Sequence, residues 1–227
     1  MITVAGKSVL TTMEELVDPR RVALLIVDMQ RDFCLPGGAF DNHGIDLAMY
    51  PPMVGRLRLL LDGARAAGVR VIHIQMTVLP GRASESGPQI RFNMRLHQGR
   101  HQAAEPLLYT VKGTPGHDFV PELAPQPGEV IVQKYRSSAF WGTNLDQLLR
   151  SNGIESVIVT GCTTEGCVES TARDAQFSDR YVVIPEDAVA SDDRSQHEAS
   201  LHLMRHRFDM TTCDEILGIW KDLATKE

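Results

Sequence analysis

The chain has 227 residues, 43% hydrophobic and 23% charged, with a formal net charge of -6 at pH 7. That length fits a single α/β domain spanning 1–227, with a core large enough to need no staples. The negative balance, with arginines scattered rather than striped, argues against a nucleic-acid partner, and no apolar run reaches the length of a membrane span.

Residues 1–20 read as an N-terminal extension. They lack a charged segment followed by an apolar one, so they do not resemble a secretory signal. The first strand is expected at 22–28, VALLIVD, an unbroken apolar run closed by a carboxylate. Further β-branched runs follow at 69–75, 129–134, 156–161 and 181–184, and continuous apolar strands suit a parallel sheet buried on both faces. Helical spacing appears at 54–68, stopped by Gly68, and at 143–153, stopped by Gly153. Three more helices are expected at 164–178, 193–207 and 213–224. This alternation predicts a Rossmann-like, doubly wound, mostly parallel sheet flanked by helices on both faces. Residues 76–128 break the rhythm. They are rich in Gly, Pro and Arg, and a long insertion in a compact domain is usually a lid or binding loop.

In such sheets reactive groups collect beyond the carboxyl ends of the strands. Three residues stand there: Asp28 at the end of the first strand, Lys134 at the end of the third, and Cys167 just after the fourth. Each alone has a plainer explanation, a solvated strand end or a small buried thiol. Together they supply a base, a cation and a nucleophile, which is what attack on an unactivated carbonyl needs. Cys167 opens a predicted helix, where the macrodipole is expected to favour thiolate and the unpaired backbone N–H groups can hold an oxyanion. With four cysteines and no C-x-x-C pair there is no disulfide framework, and a reducing cytoplasm is the expected setting. Cys162 reads as packed turn structure, and Cys34 and Cys213 as buried thiols.

The stretches ALLIVDMQRDF, IVQKYRSSAFWGTNLDQLL and VTGCTTEGCVESTARDA resemble the isochorismatase-like cysteine hydrolases, in order and spacing, from about residue 20 onward. The resemblance implies a catalytic triad of Asp28, Lys134 and Cys167 and a cis peptide before Thr163. It also implies an oxyanion hole from the N–H groups of Thr163 and Cys167, and a homo-oligomer, dimer or tetramer. True isochorismatases typically lack the nucleophilic cysteine, which is present here. Nicotinamidases carry an Asp-x-His metal motif after the second strand; this chain has VIHIQMTVLPGRAS there, with His73 inside the strand. The segments PGGAFDNHGIDLA, TPGHDFVPELAPQPGE and RSNGIESVIVTG resemble ureidoacrylate amidohydrolases and, more loosely, biuret hydrolases.

The implied activity is cofactor-free hydrolysis of a C–N bond in a small amide, ureido or carbamoyl substrate through a thioester. The alternatives are another small substrate such as biuret or maleamate, or a non-catalytic member that binds a small metabolite. By position, Phe33, Phe140 and Trp141 are candidate pocket walls, with core packing the alternative for each. Gln75 is a candidate partner for an amide or ureido group, and Arg136 a candidate carboxylate clamp. His97/His101 and His202/His206 have one-face helical spacing, but neither pair forms H-E-x-x-H, and no metal site is expected.

Overall fold

The computed structural model describes residues 1–96 and 106–225. The chain opens with a hairpin of β1 (Ile2–Val4) and β2 (Lys7–Val9), followed by the short helix α1 (Met13–Leu16). Next come β3 (Val22–Val27), α2 (Arg31–Cys34), α3 (Ala39–Asn42), α4 (Tyr50–Ala66), β4 (Arg70–Met76) and α5 (Gly87–Leu96). The second half alternates β5 (Val130–Lys134), α6 (Leu145–Ser151), β6 (Ser156–Cys162), α7 (Glu169–Phe177) and β7 (Tyr181–Pro185). It closes with β8 (Val189–Ala190), α8 (Arg194–Met204), β9 (Asp209–Thr211) and α9 (Cys213–Ala224).

The main sheet runs β5-β4-β3-β6-β7-β9, with β8 pairing beside the end of β6. Every pairing in it is parallel. The order is that of a doubly wound Rossmann-type sheet, as expected, and it reverses direction between β3 and β6. Strand β3 shows why the sheet is covered twice. Val22, Leu24 and Ile26 pack with Leu57, Leu60, Leu61, Ile216 and Trp220 from α4 and α9. The alternating Ala23, Leu25 and Val27 pack with side chains of α6, α7 and α8, including Leu149, Ala172 and Leu201. All six β3 residues are fully buried, so strand periodicity of two feeds two cores at once.

Two local readings shift. Helix α4 begins at Tyr50, four residues before the expected 54, because Pro51 and Pro52 occupy its first turn, where no backbone N–H is needed. The N-terminal extension docks on the domain. Thr12 and Glu15 form a reciprocal capping box on α1, Leu16 and Val17 are buried, and the Trp220 indole donates to the Val17 carbonyl at 2.8 Å.

At the reversal point the chains approach closely. Gly161 has φ +104°, and a Cβ there would lie 2.0 Å from the Val27 carbonyl oxygen. Only glycine lets β6 lie this close to the end of β3. Gly161→Ala should therefore cost at least about 3 kcal/mol, combining left-handed strain with a backbone clash. A thermal melt checks this; an unchanged melting temperature would show that the strands can part freely.

Candidate active site

The end of β3 turns sharply at Asp28, whose φ is +55° and whose N–H donates to the Ile74 carbonyl at 3.0 Å. The Lys134 side chain comes from the end of β5, two strands away, and is fully buried; Asp28 is 1% exposed. Lys134 Nζ lies 2.7 Å from Asp28 Oδ2, 3.1 Å from Cys167 Sγ and 3.0 Å from the Arg136 carbonyl oxygen. An ammonium has three N–H donors, which these acceptors and Met76 Sδ at 3.7 Å share. Cys167 lies in a π-helical turn, Thr164–Val168, that leads into α7. The Cys162–Thr163 peptide just before that turn is cis, as the resemblance implied.

The electrostatics correct one expectation. Burial and the Asp28 charge push the Cys167 thiol up to about 12, and Lys134 only partly opposes them. Both effects favour the thiol over the thiolate, against the direction expected from the helix dipole. Burial likewise pushes the Asp28 carboxyl above its usual range against the pull of Lys134. Burial pulls Lys134 down, but the Asp28 charge opposes it and the net shift is upward, so the ammonium stays protonated. Asp28 and Cys167 share the Lys134 ammonium, and the carboxylate acts on the thiol through its charge, so a proton acceptor stands near the nucleophile.

Above this cluster is a cavity of about 270 Å³ that includes Asp28, Cys162, Thr163, Gly166 and Cys167 in its wall. That volume suits a small metabolite. Its apolar wall is an aromatic group: the Phe33 ring stands 5.0 Å from Phe40 and 5.2 Å from Tyr109. Asp32 ties the backbones that carry the latter two, accepting from Ala39 N at 3.0 Å and Thr110 N at 2.6 Å. The insertion contributes Gln89, Phe92, Leu96 and Tyr109, so its described part does border the cavity.

Of the expected substrate contacts, only Phe33 lines this cavity. Gln75 does not. Strand β4 ends one residue later, at Met76, and successive side chains face opposite ways, so Met76 faces the cavity and Gln75 faces the other side. The Gln75 amide donates to the His117 carbonyl at 3.0 Å and accepts from Gln133 Nε2 at 3.2 Å. Arg136 donates to the Ser84 and Tyr135 carbonyls and lines a separate, shallower depression together with Trp141, which is 71% exposed. Phe140 packs against the core under α6 and α7. Cys162 is buried as expected but also lines the cavity, with its sulfur 3.9 Å from that of Cys34. Phe40, Tyr109, Glu165 and Asp192 escaped the sequence; they lie far apart along the chain, and only the fold brings them to one wall.

His73 is buried within β4, and its Nε2 lies 2.9 Å from Glu129 Oε2, as part of the core. His202 and His206 pack ring to ring at 5.3 Å, and His97 and His101 lie outside the described residues. Among the described residues no group of three or more His, Cys, Asp or Glu is placed to hold a metal, and no helix is long and apolar enough to cross a membrane.

Two outcomes are expected. Iodoacetamide labelling of Cys167 should rise roughly tenfold per pH unit from pH 7 to 9, since the thiolate fraction grows towards a high pKa. Lys134→Ala removes the one cation opposing that shift and should slow labelling at fixed pH, whereas Asp28→Asn should speed it. Equal rates in all three proteins would separate the lysine and the carboxylate from the thiol. Second, turnover should survive exhaustive EDTA treatment; loss restored by zinc would contradict the expectation that no metal is required.

The family described as "Isochorismatase domain" matches residues 22–215. Ureidoacrylate amidohydrolase RutB from Pantoea ananatis (strain LMG 20103) is 38% identical over 175 residues, covering 75% of this chain and 70% of that protein. The crystal structure of a cysteine hydrolase from Pseudomonas syringae pv. phaseolicola 1448A is similar at a TM-score of 0.76 and 28% identity, over 91% of this chain and 95% of that one. N-carbamoylsarcosine amidase from Thermoplasma acidophilum is similar at a TM-score of 0.65 and 25% identity, over 86% of this chain and 97% of that one. Sequence and fold agree over most of the chain, which belongs to the isochorismatase family.

Proposed function

We propose that the chain is a cysteine hydrolase that cleaves the C–N bond of a small amide, ureido or carbamoyl substrate through a thioester. One observation carries this: Lys134 Nζ bridges Asp28 Oδ2 at 2.7 Å and Cys167 Sγ at 3.1 Å, just behind a small cavity that Asp28 and Cys167 line. The names of RutB and of the carbamoylsarcosine amidase, both amidohydrolases acting on ureido or carbamoyl groups, support the substrate class.

In the proposed cycle Asp28 takes the thiol proton as the sulfur attacks the substrate carbonyl. The carbonyl oxygen becomes an oxyanion held by the backbone N–H groups of Thr163 and Cys167. Asp28, whose raised pKa suits it to hold a proton, returns it to the departing nitrogen. The C–N bond breaks, ammonia or an amine leaves, and a thioester remains. Water then gives a proton to Asp28 and adds to the thioester carbon; the C–S bond breaks, the proton returns to sulfur, and the acid departs. Lys134 stays protonated throughout and offsets negative charge on whichever of the two partners carries it.

An ammonia-release screen over ureido acids, biuret, maleamate and simple carboxamides tests the activity. With any substrate found, Cys167→Ala should lower kcat by at least about 10⁴-fold while leaving the melting temperature near that of the wild type. Rapid acid quench and intact-mass analysis should show the acyl group on the wild-type chain alone. A variant retaining a substantial fraction of kcat would remove Cys167 as nucleophile.

A further inference from the structure

Separate stretches of chain meet at the Asp32 side chain, which lies in α2 directly before Phe33. Its Oδ1 accepts from the N–H of Ala39, the first residue of α3, at 3.0 Å. Its Oδ2 accepts from the N–H of Thr110 at 2.6 Å. Phe40 follows the first of these donors, and Tyr109 precedes the second. A Cβ at Gly116 would lie 2.0 Å from Asp32 Oδ1, so that glycine leaves room for the carboxylate against a third connection.

The Thr110 backbone is left-handed, with φ +47°, a conformation that a β-branched residue rarely adopts. Two bonds hold it: its N–H donates to Asp32, and its carbonyl accepts from the Val78 N–H at 3.0 Å. The result is a triangle of rings, with Phe40 and Tyr109 6.0 Å apart and Phe33 at 5.0 and 5.2 Å from them. All three rings line the cavity that Asp28 and Cys167 also line. Asp32 is not one of the described residues in that wall, so it acts through the residues it holds. Both of its oxygens are used. An asparagine would keep one acceptor and turn an NH2 group towards the other N–H, so one of the two bonds would be lost.

We propose that Asp32 is a positioning residue that fixes this aromatic triangle relative to Cys167. The cavity thereby prefers substrates with a flat apolar group attached to the scissile amide, ureido or carbamoyl unit. The inference rests on the amidohydrolase reading above and deepens it by naming the group beside the bond that breaks. A planar group against these rings gains both apolar burial and ring contact, whereas a single methyl group gains little of either. The contact is made on binding, so its loss should appear in affinity and KM rather than in the step at sulfur.

The test uses benzamide and acetamide as probes on the full chain. Protection of Cys167 from iodoacetamide gives a dissociation constant for each, and ammonia release gives kcat and KM. The wild type should bind benzamide at least about tenfold more tightly than acetamide, and Asp32→Asn should shrink that ratio about tenfold. Where benzamide is turned over, its KM should rise about tenfold in Asp32→Asn with kcat within about threefold. A general loss of folded protein would leave the ratio of the two constants unchanged, so the ratio separates positioning from mere stability. Ala39→Pro is the second variant and serves if Asp32→Asn fails to fold. Proline is tolerated at a first helical position, Gly38 before it is already extended at φ −75° and ψ 173°, and the substitution removes one of the two N–H donors. It should move the ratio in the same direction. A ratio unmoved by both variants would overturn the proposal. So would a wild type with no preference for benzamide, even if ammonia were released and the amidohydrolase reading stood. Protection in the expected order, with no ammonia from either amide or from the wider screen, would count against the amidohydrolase reading and leave the role of Asp32 in place.

Discussion

The ion pair between Lys134 and Asp28 is the interaction on which the rest of the site depends. Two unit charges are held 2.7 Å apart with almost no solvent exposure. Burying either alone would be prohibitive, and removing one partner of such a pair typically costs about 3–5 kcal/mol because the other is left uncompensated. As a pure stabilising device the pair is a poor choice, since apolar side chains of similar volume often do as well or better. Its persistence in the floor of a cavity, with a thiol as third member, fits a functional use. The same burial that makes the pair costly raises both the Asp28 carboxyl and the Cys167 thiol.

The fold supplies this pair by topology. Asp28 and Lys134 lie at the carboxyl ends of β3 and β5, separated by β4, and Cys167 follows β6 on the other side of β3. The sheet reverses its winding between β3 and β6, which leaves a crevice there that no crossover helix fills. Gly161 lets β6 close against the end of β3. Gln30 donates to the Met76 and His117 carbonyls at 3.0 and 2.9 Å, fastening the β3 and β4 ends beneath the cavity. The reactive residues thus stand on rigid strand ends, and the aromatic wall comes from connections that Asp32 binds together.

The sequence carried the sheet and the reactive cluster because both rest on local signals. An unbroken β-branched run is visible in a few residues, and Asp28, Lys134 and Cys167 interrupt or follow such runs. The cavity wall was far less legible. The apolar run reads as ending at Gln75, one residue before β4 ends, and in a strand a shift of one residue exchanges the two faces. Phe140, Trp141 and Arg136 follow Lys134 closely in sequence, but the turn after β5 sends them to the core or to the outer depression. Phe40, Tyr109 and Asp192 reach the wall through long-range connections that no local pattern encodes. The protonated state of the thiol was also hidden: the helix dipole is readable in sequence, but the desolvation that overrides it is not.

The most direct test of the account asks whether Asp28 and Lys134 act as one unit on Cys167. Turnover would be compared in Asp28→Asn, Lys134→Met and the double variant. If the pair is a unit, either single substitution dismantles it, and the double variant should be no slower than the slower single one. Losses that multiply in the double variant would show two independent contributions and would contradict the central role given to their pairing.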